Sequence, residues 1–280
     1  MTVRGKLRHS GSRPGASWQQ SRGRRYEMTK RVVDVALSAA GLAAAAPVVL
    51  PVMFIVWRQD RHSPFYVAPR VGRDGVDFRM VKLRSMVVNA DKTGVDSTAG
   101  DDMRITPVGH FIRRYKLDEV TQLWNVLKGD MSLVGPRPNV KREVDEYTPA
   151  EMELLRIRPG ITDLASIVFS DEGEVLRGEV DADLAYNQLI RPWKSRLGLF
   201  YVQNRSLRMD LQLLALTLLG SVSRGRSLDG VNRILAKRGA PDELALVALR
   251  RLPLEPKPPP GMSTIVRERV VKLPEGDPVG

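Results

Sequence analysis

The stretch Val35–Trp57, VALSAAGLAAAAPVVLPVMFIVW, carries no charge and decides how the rest of the chain is read. A membrane-spanning helix needs ~20 apolar residues, so the run is long enough to cross. Three arrangements compete. A secretory leader is disfavoured because the basic region before the run is long and strong hydrophobicity continues past the alanines. A plain spanning helix is disfavoured by Pro47 and Pro51, each of which removes a backbone donor and crowds the preceding turn. The flanks disfavour it too: Lys30 and Arg31 precede the run, and Arg58, Arg61, Arg70 and Arg73 follow it. Basic residues at both ends place both ends on the cytoplasmic side. A re-entrant helix hairpin over residues 29–60 satisfies both facts. It enters one leaflet, bends at Ala46–Pro47 and returns, with Asp34 kept at the interface because an unpaired carboxylate in hydrocarbon is costly.

Outward from this run, residues 1–28 form a basic arm rich in Ser, Gly and Arg, in which Glu27 is the one acid. Such a composition cannot bury a core and reads as disordered. The whole chain has 280 residues and a net charge of +12, which points to an anionic partner: nucleic acid, anionic lipid or a phosphorylated substrate. With 42% hydrophobic residues a real core is expected, and with no cysteine there is no disulfide framework, thiolate nucleophile or Cys-based zinc site. His9, His62 and His110 are scattered without metal-ligand spacing.

The rest reads as mainly α with a small β-hairpin, an α+β fold. Apolar stretches Phe65–Val71 and Val76–Leu83 flank GRDG, a hairpin signal. Residues 89–102 read as a polar, Gly-rich mobile loop. Val120, Leu123, Trp124 and Leu127 recur at helical spacing and predict a helix that buries that face, ended by Lys128-Gly129. Residues 140–157 read as a further helix and RPGITDLASIVF as a turn followed by a strand. Residues 181–202 and 206–222 read as helices, the second either interfacial or in the core. Residues 224–280 hold two short helices and a Pro-rich tail, from Leu252, with no expected fold. Residues 61–223 are the expected catalytic domain.

Between Arg113 and Pro138 runs RRYKLDEVTQLWNVLKGDMSLVGPRP. Asp118 and Glu119 in a first helical turn have a bland reading, complementing the helix dipole. Their neighbours suggest more. A helix N-terminus gathers anions, and the guanidinium forks of Arg113 and Arg114 suit phosphate. Arginines beside Asp118 predict a lowered pKa and a lasting negative charge. An ionised Asp can attack phosphorus or hold Mg²⁺. The prolines of GPRP stiffen the backbone around Arg137. Lys82 and Arg84, alternating on a strand, share either a solvated or a phosphate-facing side.

These residues resemble the bacterial sugar transferases known as monotopic phosphoglycosyl transferases, in their compact form. The matching blocks are KRVVD, the Pro-interrupted run, FYVAPRVGRDG, FRMVKLRSM, RITPVGHFIRRYKLDEVTQLWNVLKGDMSLVGPRP, RPGIT and AYNQLIRPWKSRLGLFYVQNRSLRMDLQLL, over roughly residues 29–222. The resemblance implies transfer of a sugar 1-phosphate from a nucleotide sugar, usually a UDP-sugar, to undecaprenyl phosphate, with release of UMP. It makes Asp118 the nucleophile and Mg²⁺ contact, and Glu119 its partner. Arg113 then binds phosphate and Arg137 the nucleotide end, with Lys82 and Arg158 as further anion contacts. It places the protein at the cytoplasmic face of the inner membrane, on anionic lipid, in exopolysaccharide, capsule, O-antigen or glycan assembly, and is compatible with a homo-oligomer. Three positions depart from the family pattern: Ala46 where Ser is common, Ala68 where Gln is common, and Asp163 where Gly is frequent. A non-catalytic basic scaffold on the membrane is the alternative. Nucleic acid is not an expected partner, since the arm has few aromatics and the apolar run would stay unexplained.

Overall fold

The computed structural model describes the backbone of residues 14–90 and 102–268, with side chains from residue 25. Helix α1 covers Pro14–Asp60. The arm expected to be disordered is therefore helical from residue 14, and residues 1–13 lie outside the described part. The mobile loop expected at 89–102 falls mostly outside it as well. The expected two-armed hairpin is a single helical element here, continuous through Pro47 and Pro51. A proline costs one backbone bond and kinks a helix, but need not end it.

The small hairpin forms as read. β1 (Phe65–Val71) pairs antiparallel with β2 (Asp77–Leu83), Phe65 opposite Leu83 and Val71 opposite Asp77. The GRDG turn is tight because Asp74 and Gly75 take φ of 57° and 77°, conformations that Asn, Asp and Gly tolerate best. The outer edge of β2 meets helices α3 (Leu117–Val120) and α4 (Gln122–Lys128), and helix α2 (Pro107–Arg114) joins its end through Ile112, clustered with Leu83.

Helix α4 buries the expected face only in part: Leu123 packs against the core without being fully buried. Gln122, Asn125 and Val126 are buried, whereas Trp124 is 53% exposed and Leu123 only partly covered. The cause is hydrogen bonding. The Val81 N–H donates to Asn125 Oδ1 (2.9 Å), and Asn125 Nδ2 donates to the Arg79 carbonyl (2.7 Å). Thr121 Oγ1 donates to the Val81 carbonyl (3.1 Å). Polar side chains of α4 thus occupy the open edge of β2, which would otherwise expose unpaired backbone groups. The apolar stripe is left partly covered, with Leu123 between the core and α1: a Cβ on Gly41 would lie 3.1 Å from Leu123 Cδ1.

β3 (Ser132–Val134) pairs in parallel with β4 (Gly160–Thr162). The remaining helices are α5 (Lys141–Val144), α6 (Leu164–Val168), α7 (Glu172–Val175), α8 (Ala182–Ala185), α9 (Arg191–Asn204), α10 (Leu207–Gly220), α11 (Arg224–Lys237) and α12 (Asp242–Leu249). Three expectations are corrected here. The strand after RPGIT stops at Thr162, because Asp163 Oδ1 accepts from the Ser166 N–H (2.7 Å) and caps α6. The helix expected at 140–157 is broken into α5 and a 3₁₀ turn at Glu151–Arg156. That turn opens with a reciprocal cap, the Glu151 N–H on Thr148 Oγ1 and the Thr148 N–H on Glu151 Oε2. The Pro-rich tail is fastened to the body as far as Val266 rather than loose, through contacts described below. α10 uses one face for the core, with Met209, Asp210 and Leu213 buried and Leu211 and Leu218 exposed.

One apolar core joins α4, β3, α6, α9, α10, α11 and α12, with Leu197, Tyr201, Leu213 and Leu235 fully buried. A smaller cluster joins Val52 and Val56 of α1 to Leu83 and Ile112. The N-terminal part of α1 is tied to the body by polar contacts. Arg31 donates to the Val126 and Leu127 carbonyls at the end of α4, and Ser132 Oγ donates to Asp34 Oδ2 (2.7 Å). Lys30 Nζ is 3.2 Å from Asp210. Pairing is what allows Asp34 and Asp210 to be buried.

Candidate active site

Each charged group of the site is aimed by its backbone. Thr106 caps α2 by accepting from the Gly109 N–H (2.9 Å), and Pro107 starts the helix. Gly109 lies so close to Ser85 that a Cβ there would come within 1.8 Å of its carbonyl oxygen. The approach lets Arg113, one turn on, donate from Nε to Ser85 Oγ (3.0 Å). Lys116 then takes φ 52°, ψ 30°, and this left-handed residue swings the chain into α3. Asp118 and Glu119 occupy its first turn. Facing them is the Gly135–Pro138 loop, held by the RPG turn: Ser132 N–H to Pro159 O (2.8 Å), Gly160 N–H to Pro136 O (2.9 Å) and Gly135 N–H to Thr162 O (3.0 Å).

Arg137 Nη2 donates to Glu119 Oε1 at 2.8 Å, with the side chains 38% and 27% exposed. Among the described residues no cation closes an ion pair on Asp118. The two neighbouring acids therefore differ. Burial opposes the Glu119 charge, but Arg137, with Lys82 and Lys116, outweighs it and holds the pKa below the usual range. For Asp118 burial wins over Lys82, and the pKa is raised. This corrects the expectation of a lowered value: Arg113 contributes, but less than desolvation and Lys82. Lys82 is pushed down by burial and by Arg137, against the pull of Asp118 and Glu119. Arg113 is also lowered by burial, with Asp118 the strongest opposing influence. For Arg137 burial works against the charge, and Glu119 more than compensates.

Five of the six expected residues, Lys82, Arg113, Asp118, Glu119 and Arg137, thus share one electrostatic neighbourhood. Arg158 is not among them. Its Nε donates to the Gly129 carbonyl (2.9 Å), capping α4 beside Lys30, Arg31 and Asp34. Arg84 also leaves: its Nη2 donates to Asp60 Oδ1 (2.7 Å) at the end of α1, while Lys82 lines the cavity.

That cavity, about 1060 Å³, adjoins the cluster and is lined by Lys82, Lys116, Glu119 and Arg137. Its other walls come from residues the sequence did not single out, among them Glu143, Tyr147, Tyr186 and Lys194. Lys194 pairs with Glu172 and lies 5.2 Å from the Tyr186 ring centroid. Asp163 also lines it. The basic IRPWKSR segment was the available signal for Lys194; nothing local marks the tyrosines. A deep, basic, partly apolar cavity of this size admits a molecule as large as a nucleotide sugar.

Comparison with known proteins agrees. Residues 25–224 match the model of the bacterial sugar transferase family. The chain is 32% identical over 180 residues to UDP-N-acetylgalactosamine-undecaprenyl-phosphate N-acetylgalactosaminephosphotransferase of Aeromonas hydrophila, covering 62% of this chain and 43% of that protein. It is 34% identical over 206 residues to the exopolysaccharide production protein ExoY of Sinorhizobium fredii, covering 68% and 84%. It is 34% identical over 175 residues to UDP-glucose:undecaprenyl-phosphate glucose-1-phosphate transferase of Caulobacter vibrioides, covering 60% and 66%. Other relatives are spanned over as little as 38% of their length. With more than half its length inside the family model and the charged cluster assembled as described, the chain belongs to the bacterial sugar transferase family.

Proposed function

We propose that the chain is a phosphoglycosyl transferase that moves a sugar 1-phosphate from a UDP-sugar to undecaprenyl phosphate through a covalent intermediate on Asp118. The observation that carries this reading is the asymmetry of the two acids: Glu119, which lines the basic cavity, is engaged by Arg137, while neighbouring Asp118 has no ion-pair partner among the described residues. A carboxylate raised in pKa by burial is less solvated and, once ionised, a better nucleophile. An Asp118 oxygen attacks the sugar-proximal phosphorus; the P–O bond to the nucleotide breaks and UMP leaves with the electron pair. An oxygen of the lipid phosphate then attacks the same phosphorus, and the bond to Asp118 breaks. Lys82, Arg113 and Arg137 offset the charge that builds on phosphate oxygens. Glu119 orients Arg137.

Among the described residues no group of three or more His, Cys, Asp or Glu side chains could hold a metal ion. Mg²⁺ takes one or two carboxylates when diphosphate oxygens and water fill its other positions, so Asp118 fits this limited role. When bound, the ion neutralises charge on the donor diphosphate.

The membrane placement is part of the same proposal. The α1 helix is long and apolar enough to cross a membrane. Support for a re-entrant path is that both of its ends engage one folded body. Asp34 meets Ser132, and Asp60 meets Arg84. From Asp34 to Asp60 a straight helix rises ~39 Å, more than the ~30 Å hydrocarbon thickness, and crossing would put those contacts on opposite sides of the bilayer. Leu50 and Phe54, both 60% exposed, then face lipid, and the site lies at the cytoplasmic surface with the acceptor phosphate.

The test is UMP release from UDP-sugars, with undecaprenyl phosphate and Mg²⁺, by the native and Asp118→Asn chains. Release by the native chain, abolished in the variant, is expected; full activity of the variant overturns the mechanism, and no release by the native chain favours a non-catalytic scaffold. Cysteines introduced at positions 30 and 60 should both resist labelling from outside the cell.

A further inference from the structure

Residues 251–268 lie beyond the span matched by the family model and form no regular element. They are nonetheless fastened at three places. The Lys257 N–H donates to the Gln188 carbonyl (3.0 Å), and Gln188 Nε2 donates back to the Val266 carbonyl (2.7 Å). Thr148 Oγ1 donates to the Pro260 carbonyl (2.6 Å), and Pro259 and Pro260 are buried. Lys257 Nζ stands 5.6 Å from the Trp193 ring centroid.

Each anchor adjoins a residue that lines the cavity. Thr148 follows Tyr147, Gln188 is two residues past Tyr186, and Trp193 precedes Lys194. Gln188 also sits in a π-helical turn, Tyr186–Ile190. Such turns are rare and depart from the regular ladder, so they need support from outside the helix. Here the tail supplies it at one residue, through both backbone and side chain. A tail that merely covered the surface would have no reason to place all three anchors beside one wall.

We propose that residues 257–266 are a positioning strap for the donor cavity, fixing Tyr147, Tyr186 and Lys194 so that they receive the sugar or nucleoside end of the donor. The strap touches the wall and not the donor, and the proposal rests on the transferase reading above. Ring faces and a cation against a polar cavity suit a molecule with planar or ring surfaces and hydroxyls.

The full chain carrying Lys257→Pro and Gln188→Met tests it. Proline removes the donating N–H within an existing run of prolines, and methionine removes Nε2 at similar length; neither residue lines the cavity. Kinetics use UDP-N-acetylgalactosamine, UDP-glucose and UDP-galactose, and hydrogen exchange is followed at residues 183–190. The expected result is a donor KM raised about tenfold, equal to ~1.4 kcal/mol, with kcat within about twofold and faster exchange in the wall. Unchanged KM and exchange overturn the proposal, and so does a loss confined to kcat. If the native chain releases UMP from none of the donors, the transferase reading fails instead. Exchange then decides the strap on its own, and an unchanged wall overturns it.

Discussion

Replacing Gly160 by alanine should damage both stability and turnover, because two backbone segments meet there without room for a side chain. A Cβ on Gly160 would lie 2.1 Å from the Gly135 nitrogen and 2.5 Å from its oxygen. Neither atom is the end of a flexible side chain, so the segments must part. Parting them strains the Gly160–Pro136 and Gly135–Thr162 hydrogen bonds, at 2.9 and 3.0 Å. Two such bonds contribute a net ~1–3 kcal/mol, and overpacking adds ~1–3 kcal/mol. The sum, roughly 2–6 kcal/mol, corresponds to an apparent melting temperature lowered on the order of 10 °C in a domain of this size. Arg137 stands one residue past Pro136, so its grip on Glu119 should loosen and UMP release should fall along with stability. Gly225→Ala is the control: nothing lies within 4 Å of a Cβ there. Thermal unfolding in detergent and a UMP-release assay read the two effects. A Gly160→Ala chain with native melting temperature and native activity would show that the loop does not hold Arg137 as argued.

Asp118→Asn should leave the chain as stable as the native one at neutral pH, or more so, while abolishing transfer. Burial raises the Asp118 pKa above its unfolded value, so its stabilising contribution is present below the unfolded pKa and is lost as pH rises through the folded one. At neutral pH the ionised group therefore costs stability, and the amide removes that cost. A clear loss of melting temperature in the variant would refute this sign. Arg137→Met should lower kcat/KM by roughly 10–150-fold, the value of a charge-assisted contact of ~1.5–3 kcal/mol. The half-exposed pair with Glu119 contributes at most ~1 kcal/mol to stability, so unfolding should move little; steady-state kinetics beside a melting curve separate the two.

Local chemistry was legible where a short signal decides the outcome. GRDG gave away the hairpin to within a residue, since few sequences accept two positive φ values in a row. Asp118 and Glu119 could be read from the helix start and the stiffening of Arg137 from its two prolines, but the Arg137–Glu119 pair itself needed the structure. The sign of the Asp118 shift could not be read either, because desolvation depends on what covers the carboxyl, and Lys82 on β2 matters more to it than adjacent Arg113. Arg158, the Arg of RPG, was an anion contact only by the family resemblance; its direction is fixed by the carbonyl of Gly129. The far wall of the cavity draws on residues from 143 to 194, which only tertiary packing brings together.

The packing of α4 connects these outcomes. Helical spacing correctly located an apolar stripe at Val120, Leu123, Trp124 and Leu127, and the inference that it must face the core followed from treating water as the solvent on the other side. In this chain the opposite, polar face is buried because Thr121 and Asn125 finish the edge of β2. The stripe is shared among the core, α1 and the surroundings, with Leu123 packed against the core and Trp124 more than half exposed. An aromatic in that position suits a membrane–water interface. Because α3 leads directly into α4, the exposed Trp124 sets how far Asp118 stands from that interface on this placement. On the proposed placement, one helix therefore does two jobs: its polar face orders the strand that carries Lys82, and its apolar face brings the nucleophile to the depth of a lipid phosphate.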